Sequence, residues 1–345
     1  MRPSPLRFSA AAALAATLLA LGSPALASTA GHRASAPRTV TTLSQSKVPY
    51  PFGSSSVWRT SVARAEIAPG SRRQVDYLVG SITDRYAGVA AFNAYQYNSP
   101  VYVVPRSTAK RTVAFSNCQH KTYVPSGLFG AKGQFTGVPM PAKAVPARGT
   151  DATLSVYSPA TDQLWEFWKA HRSANGTWSA CWGGRIDHVS TSKGYFAGGF
   201  GVAATGLSVT GGLVQYREIR QGRITHAMSL AIPRTARYNR VAYPAQRSDG
   251  WDTHAAALPE GTRLRLDPKV DVSRLHLSRA GRIVARAAQR YGFIVTDTAG
   301  AVSVIAEDVS SARPKENWAT LLKGPSYSVL KGFPWSRLQV LKPVR

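Results

Sequence analysis

Residues 153–186 read TLSVYSPATDQLWEFWKAHRSANGTWSACWGGRI, and this stretch carries the clearest fold signal in the chain. Aromatic and β-branched residues fill three of its segments, 153–157, 163–171 and 177–186. Pro159 stands in the first connection and the pair Asn175-Gly176 in the second, where the chain must turn. The stretch therefore predicts three antiparallel strands that form a meander.

Most other patterned segments also repeat with a period of two. The predicted strands are 89–97, 101–105, 224–232 and 263–266, with 293–297 and 302–307 forming a hairpin. A helical period occurs at 71–82, with Ser71 as N-cap, and at 283–291, which Gly292 closes. Because short strands outnumber helices, we expect a mainly β protein, an antiparallel β-sandwich (jelly-roll-like in one variant) with a few peripheral helices.

Composition narrows the class of protein and its partners. The 345 residues carry a formal net charge of +26, yet only 17% are charged, which argues against a coiled coil or a charge-driven disordered chain. Residues 85–150 contain eight Lys or Arg and no acid. Such a surface attracts polyanions, so the expected partner is an anionic or neutral extracellular polysaccharide or the cell envelope. Alternatively, the charge only maintains solubility. We expect no specific nucleic acid partner, because no recognition motif accompanies the charge.

The first 27 residues have the pattern of an export signal. Arg2 and Arg7 precede an apolar stretch at 10–21, and residues 25–27 read ALA, a small-x-small cleavage site. The apolar stretch is too short to span a bilayer, and an uncleaved anchor is the alternative. We therefore expect a secreted protein, extracellular or wall-associated, with no transmembrane segment after cleavage. The expected organisation is a signal peptide at 1–27, a flexible leader at 28–60 and a single β-sandwich domain at 61–345.

The predicted export of the chain determines how the two cysteines are interpreted. Cysteines in a secreted chain usually pair, so Cys118 and Cys181 are predicted to form a disulfide. The alternative is a reactive thiol at Cys118 with the nearby His120. The seven histidines are scattered and no HExxH motif occurs, so no metal and no other cofactor are expected.

Several sequence blocks resemble those of a group of secreted actinobacterial proteins without an assigned activity. The blocks are LWEFW at 164–168, CWGGRI at 181–186, GRITHAM at 222–228, PAQRSDG at 244–250 and AAQRYG at 287–292. The resemblance implies an extracytoplasmic, largely β protein. It implies no catalytic residues, so the candidates below rest on their chemistry.

Strand alternation provides most of those candidates. In 224–232, His226 shares a face with the large apolar residues, so it is either a hydrogen-bonded core histidine or lines a pocket. Glu166 and Trp168 share a face of 163–171. They are either a catalytic carboxylate beside an aromatic ring that stacks on a sugar, or a pair on the protein surface. Arg263 and Arg265 share a face of 263–266, which is solvated or clamps a carboxylate or phosphate.

A polysaccharide lyase is one reaction class that these residue types fit. It needs a base, an acid and a cation that neutralises a uronate carboxylate. His226, Tyr216 and Arg265 have this chemistry, and Glu166 is a further catalytic candidate. The predicted substrate-binding residues are Trp168, Arg263 and Trp182.

A glycoside hydrolase is the second class, and it needs two carboxylates at a fixed separation. The best carboxylates are Glu166, Asp187 and Glu218, but no spacing links any two of them. The sequence therefore predicts a secreted, basic protein that binds or processes extracellular glycan, with lyase-type cleavage as one form. The alternative is a non-catalytic, envelope-associated binding or structural protein, and whether the protein is an enzyme stays open.

Overall fold

The computed structural model describes residues 50–344, so the predicted signal peptide and residues 28–49 of the predicted leader lie outside the described residues. The strands are β1 (Ala91–Asn93), β2 (Val101–Val103), β3 (Lys110–Arg111), β4 (Val113–Phe115), β5 (Val138–Pro139), β6 (Leu154–Ser158), β7 (Gln163–Trp168), β8 (His171–Arg172), β9 (Trp178–Ala180), β10 (Trp182–Asp187), β11 (Met228–Ile232), β12 (Arg263–Leu266), β13 (Phe293–Thr298), β14 (Ser303–Ile305) and β15 (Leu338–Val340). The α-helices are α1 (Ser71–Thr83), α2 (Val209–Gly212), α3 (Tyr216–Gln221), α4 (Arg279–Arg290), α5 (Val309–Ala312) and α6 (Trp318–Leu322). Short 3₁₀ turns lie at Tyr86–Gly88, Val272–Arg274, Ser326–Ser328 and Trp335–Arg337.

The predicted meander is present as three antiparallel strands. β6, β7 and β10 are neighbours in a four-stranded sheet of order β10-β7-β6-β2, and both pairings of β7 are antiparallel. Trp168 of β7 lies opposite Trp182 of β10. The prediction misses two features: β2 joins this sheet parallel to β6, and β8 and β9 leave it to form a separate small sheet with β4.

The largest sheet has six strands in the order β1-β14-β11-β13-β12-β15. β11 lies between β13 and β14, parallel to the first and antiparallel to the second. The predicted hairpin of 293–297 with 302–307 is therefore wrong, although both strands exist. All five residues of β11 are buried, and a strand buried on both faces takes a central position in a sheet.

The predicted antiparallel sandwich is not confirmed. Parallel pairs occur in three sheets, at β1 with β14, β11 with β13, β2 with β6 and β4 with β9. The chain is strand-rich, with several mixed sheets and a few helices. All described residues belong to one compact unit. None of the described helices has both the length and the apolar composition that crossing a membrane requires.

Both predicted helices are present, with shifted starts. α1 buries Val75, Leu78 and Ile82 and packs against β15. Its N-cap is Gly70 rather than Ser71, whose hydroxyl instead accepts a hydrogen bond from the amide of Val340. α4 begins after a Ser278 N-cap, several residues before the predicted start, and packs against β12. The main core forms where these helices cover the six-stranded sheet.

The segment that follows residue 49 packs against the protein, which corrects the predicted leader over residues 50–60. Phe52 is 2% exposed and Trp58 is fully buried at 0%. Arg263 holds this segment from β12, because its guanidinium donates to the carbonyl oxygens of Val57 at 2.8 Å and Thr60 at 2.9 Å. Burial lowers the pKa of Arg263 to about 9.

Arg265, two residues further along β12, binds the same N-terminal segment. Its Nη1 donates to the carbonyl oxygens of Val62 at 2.7 Å and Ala63 at 2.9 Å, and its other donors reach Gln339. The alternation prediction for 263–266 is therefore correct in placing both arginines on one face. That face is covered by the N-terminal segment and is neither solvated nor open to a ligand.

We predict that Arg263→Lys lowers the free energy of unfolding by roughly 2–6 kcal/mol, measured by urea denaturation. Arg263 also donates to the carbonyl oxygen of Tyr291, so an ammonium group would leave at least two of three buried or partly buried acceptors unpaired, at about 1–3 kcal/mol each. Arg64→Lys is the matched control, because Arg64 lies in the same segment and is exposed. Equal stability of the two variants would contradict the role of Arg263.

The predicted disulfide is confirmed between Cys118 and Cys181, whose Cα atoms are 5.5 Å apart. It ties the loop after β4 to the start of β10. The alternative of a reactive Cys118 thiol is therefore wrong.

Replacing both cysteines with serine should lower the free energy of unfolding by about 4 kcal/mol, because the unfolded chain regains the entropy of a loop spanning 63 positions. In the unmodified protein, alkylation after non-reducing unfolding should label no cysteine. Two labelled thiols in that mass measurement would show that the bridge is absent in solution.

Candidate functional site

His226 is a core histidine. It is fully buried at 0% exposure and precedes β11 instead of lying within it. Its Nδ1 lies 2.7 Å from the carbonyl oxygen of Ala227, and its Nε2 lies 3.0 Å from Glu218 Oε2. The ring of Tyr50 stacks on the imidazole at 4.4 Å between centroids. Both ring nitrogens are thus occupied by protein partners and the ring face is covered, so the pocket interpretation is wrong.

Glu166 is also occupied inside the protein. It is 0% exposed, and its carboxylate accepts hydrogen bonds from Ser208 Oγ at 2.7 Å and from the amides of Val209 and Thr210 at 2.9 and 2.8 Å. Burial raises its pKa, while these hydrogen bonds lower it. The carboxylate therefore anchors the first turn of α2 to β7 and is not available to a substrate.

The remaining residues of the predicted lyase set have packing roles as well. Tyr216 is buried in α3, and its ring packs edge-on against Trp318 at 5.2 Å. Arg265 binds backbone carbonyls and Gln339, as described above. Of the carboxylates predicted for a hydrolase, Glu218 contacts His226 and Asp187 pairs with Arg185 at 3.0 Å. The polar groups of His226, Glu166 and Arg265 are thus bound by the protein itself, and Tyr216 is buried.

Three other carboxylates form a cluster that sequence spacing did not indicate. Asp249, Glu260 and Asp297 each place a carboxylate oxygen within 4.8 Å of the other two. Asp249 is exposed, Asp297 is partly buried and Glu260 is fully buried. Thr298 Oγ1 donates to Asp249 Oδ1 at 2.9 Å and lies 3.4 Å from Glu260 Oε1. The cluster is thus open to solvent on the Asp249 side and closed behind Glu260.

Glycines position two of these carboxylates. Gly250 follows Asp249, and a Cβ at this position would lie 1.9 Å from the carbonyl oxygen of Ala236. Gly261 follows Glu260 with φ +88°, and a Cβ there would lie 1.7 Å from the carbonyl oxygen of Ala242. Only glycine permits such close backbone contacts. Two acid-glycine pairs in the blocks PAQRSDG and PEGT are therefore the sequence signal that could have indicated the cluster.

The electrostatics of the cluster favour bound protons. Burial, and then the charge of Asp249, raises the pKa of Glu260 to about 8. Burial raises the pKa of Asp297 well above its usual range, with further contributions from Asp249, Glu260 and Asp151. Glu260 Oε2 has no partner with hydrogen-bond geometry among the described residues, although Ser248 and the backbone of Asp249 lie near enough to lower the pKa in part. The same oxygens also have a spacing that a hard divalent cation accepts.

Trp168, one of the predicted substrate-binding residues, is linked to the cluster through Asp151. Trp168 Nε1 donates to Asp151 Oδ1 at 3.1 Å, and Asp151 is near enough to raise the pKa of Asp297. Trp182, opposite Trp168, is partly exposed, and the Lys121 ammonium lies 4.2 Å from its ring centroid. Trp168 and Trp182 thus lie on the same face of their sheet, and Asp151 connects this face to the carboxylates.

Arg247 binds the loop that also contacts Trp182, and the three cluster carboxylates lie near enough to affect its pKa. Its guanidinium donates to the carbonyl oxygens of Phe200, Gly201, Ala203 and Ala204. Burial lowers its pKa, and the charges of the three cluster carboxylates raise it. Trp182 Nε1 donates to Gly199, which belongs to the same loop. Arg247 therefore fixes the glycine-rich loop after β10 next to the carboxylates.

Two exposed aromatic residues lie near Asp249 along the backbone. Trp251 and Tyr238 are 59% and 58% exposed. The amide of Tyr238 donates to the carbonyl oxygen of Gly250 at 2.7 Å, so the backbone of both residues is close to that of Asp249. Large exposed rings beside carboxylates are a common arrangement for contacting sugars, because a ring face covers the apolar C–H face of a pyranose.

No family model, curated protein or solved structure matches the chain. The resemblance to secreted actinobacterial proteins therefore stays a prediction. The cluster and its surroundings are the basis for the function proposed below.

The cluster predicts a specific dependence of stability on pH. The folded pKa of Glu260 is about 8, against an ordinary value of 4.5. Between these values the folded protein retains a proton that the unfolded chain has released, so the free energy of unfolding falls as pH rises through this window. Glu260→Gln should remove this contribution, on the order of a few kcal/mol, and weaken the fall. Urea unfolding at several pH values measures how the free energy of unfolding of each variant changes with pH.

The exposed Asp84→Asn is the control and should leave the slope unchanged. Asp297 contributes with the same sign, so some slope should remain in Glu260→Gln. A slope identical to that of the unmodified protein would show that the Glu260 carboxyl is ionised at neutral pH.

Proposed function

We propose that the protein is secreted, binds extracellular glycan beside Trp168, Trp182 and the carboxylate cluster, and hydrolyses a glycosidic bond there. The observation that carries the proposal is the pairing of an exposed carboxylate, Asp249, with a partly buried neighbour, Asp297, whose pKa is well above its usual range. One acid that keeps its proton at neutral pH beside one that is solvated is the division of roles that glycoside hydrolysis requires.

Asp297 is the proton donor in this proposal, because burial raises its pKa well above the usual range and its side chain is partly accessible. Asp249 is the nucleophile. As its oxygen bonds to the anomeric carbon, the bond to the leaving oxygen breaks and that oxygen takes the Asp297 proton. Water then cleaves the glycosyl ester, with Asp297 accepting a proton from it. The oxygens lie within 4.8 Å, which suits this retaining route better than the wider separation, about 6.5–9.5 Å, of inverting enzymes.

Glu260 is a positioning residue in this scheme, because it is fully buried behind the other two carboxylates. Ionised together, the Glu260 and Asp297 carboxylates would repel each other, which adds to the raised pKa of Asp297, and Glu260 shares Thr298 with Asp249. Its role is therefore to keep a proton within the cluster and to orient the Asp249 carboxylate.

Substrate contact is assigned to the aromatic residues. Trp168 and Trp182 each have a lysine over the ring, Lys169 at 4.8 Å and Lys121 at 4.2 Å. These cations lie where an acidic substituent on a sugar would be attracted, and the rings offer surface to neutral units. The disulfide and the predicted signal peptide support an extracellular setting.

The proposal predicts that the purified protein releases hydrated oligosaccharides from isolated cell envelope or from a panel of neutral, uronate-bearing and phosphate-bearing polymers, detected by mass spectrometry. Asp297→Asn and Asp249→Asn should each reduce the release by about 100-fold or more. Trp168→Ala should raise KM more than it lowers kcat, since it removes substrate contact. Glu260→Gln should shift the pH profile of cleavage, which a purely structural role would not do.

Asp84→Asn is again the control and should retain full activity, because Asp84 is exposed at the end of α1. Unsaturated uronide products would show lyase chemistry and overturn the hydrolase assignment. Retention on one polymer without products, unchanged by Asp297→Asn, would establish the non-catalytic binding alternative instead.

A further inference from the structure

A row of four arginines covers one face of α4. Arg279, Arg282, Arg286 and Arg290 are spaced by three, four and four residues, so they follow each other along a single stripe of the helix surface. Arg279, Arg286 and Arg290 are exposed and Arg282 is partly exposed. We name these four residues the arginine stripe.

The arginine stripe is not explained by the stability of its helix. The sequence of α4, RAGRIVARAAQR, contains no acid that could pair with an arginine one turn away. Like charges at a spacing of four destabilise a helix, and Arg279 lies in the first turn, where the helix dipole disfavours a cation. The helix is instead held by its opposite face, which buries Ile283, Val284 and Ala287.

The stripe side chains are partly ordered by the protein. Arg279 Nη1 donates to the carbonyl oxygen of Ile219 at 2.6 Å, and Arg282 Nη1 donates to that of Leu277 at 2.6 Å. The Arg290 guanidinium lies 5.5 Å from the ring centroid of Tyr291. A guanidinium carries five N–H donors, so each of these contacts leaves donors for a ligand.

Acids at the border of α4 are already paired. Asp271 begins the 3₁₀ turn that packs against α4, and its carboxylate lies 3.2 Å from Arg274. Asp267, whose backbone accepts from Gln289 of α4, pairs with Arg337 at 2.7 Å. These acids therefore do little to reduce the positive potential of the stripe.

We propose that the arginine stripe binds the phosphodiester backbone of an anionic polymer of the cell envelope. Arg279 and Arg290 are about 16 Å apart along the helix axis, from a rise of about 1.5 Å per residue, so the stripe can contact several consecutive charges of an extended chain. Guanidinium groups match phosphate oxygens through paired hydrogen bonds. The assignment is independent of the glycan hydrolysis proposed above, since the arginine stripe and the carboxylate cluster share no residue.

Binding of the full protein to immobilised poly(glycerol phosphate), measured over a range of salt concentrations, tests this. Four phosphate contacts predict a slope of log affinity against log salt of roughly −3. The variant Arg282→Gln/Arg286→Gln should lose about 10-fold in affinity at low salt, and its slope should become shallower by roughly 1.5. Arg286→Gln/Arg290→Gln is a second variant for the same loss, should the first fold poorly.

Arg106→Gln/Arg111→Gln is the matched control. Both residues are exposed and lie in the acid-free segment 85–150. The two substitutions remove the same charge as the stripe variants, but from a different part of the chain. Equal losses in control and stripe variants would show a general charge effect and overturn the assignment. Equal or tighter binding to polygalacturonate or to duplex DNA would overturn the choice of a phosphodiester envelope polymer. Asp297→Asn should bind unchanged, which separates this result from the glycan site.

Discussion

The position of β11 between β13 and β14 is the constraint on which the architecture depends. Because β11 and β13 are parallel, their carboxyl ends meet at one edge of the six-stranded sheet, where Ile232 lies opposite Thr298. The chain that leaves β11 must therefore pass this edge before it returns as β12. Asp249 and Glu260 lie in that passage, and Asp297 lies at the end of β13. The carboxylate cluster is thus a product of strand order, as are many sites at the carboxyl ends of parallel strands.

Local sequence patterns predicted the elements better than their arrangement. The meander from β6 to β10 and the helices α1 and α4 depend on neighbours in sequence, so periodicity and turn residues indicated them. The insertion of β11 depends on a pairing more than sixty residues away, between Met228 and Phe293. Nothing in the residues flanking the Thr298-Ala299-Gly300 turn distinguishes two strands that pair with each other from two that receive a third between them.

The difference between local patterns and long-range contacts also explains which features of the predicted site residues were correct. Alternation placed His226 among apolar residues and both arginines of β12 on one face, and each assignment agrees with their burial. It could not show that Tyr50 covers the imidazole or that backbone carbonyls meet the guanidinium groups, since those partners come from a segment without periodicity. Trp168 and Trp182 were predicted as substrate contacts, and their indole N–H groups donate to Asp151 and to the glycine-rich loop after β10. The acids of the cluster come from three separate blocks, so no spacing linked them.

The chain also separates its charges in space. A protein with a net charge of +26 concentrates three carboxylates within 4.8 Å of each other, while four arginines follow one helix face without an acid among them. Each grouping raises the electrostatic energy of the fold locally. Groupings of this kind are typical of surfaces that meet a ligand of opposite charge or hold a proton, and the two would address different parts of a charged polymer matrix.

The contact between Arg263 and the N-terminal segment has a consequence for biogenesis. The guanidinium and the carbonyl of Val57 that it binds are 206 positions apart in the chain. A ribosome therefore completes most of the protein before this partner of the early segment exists. The contact of Arg263 with the N-terminal segment can therefore form only late in synthesis.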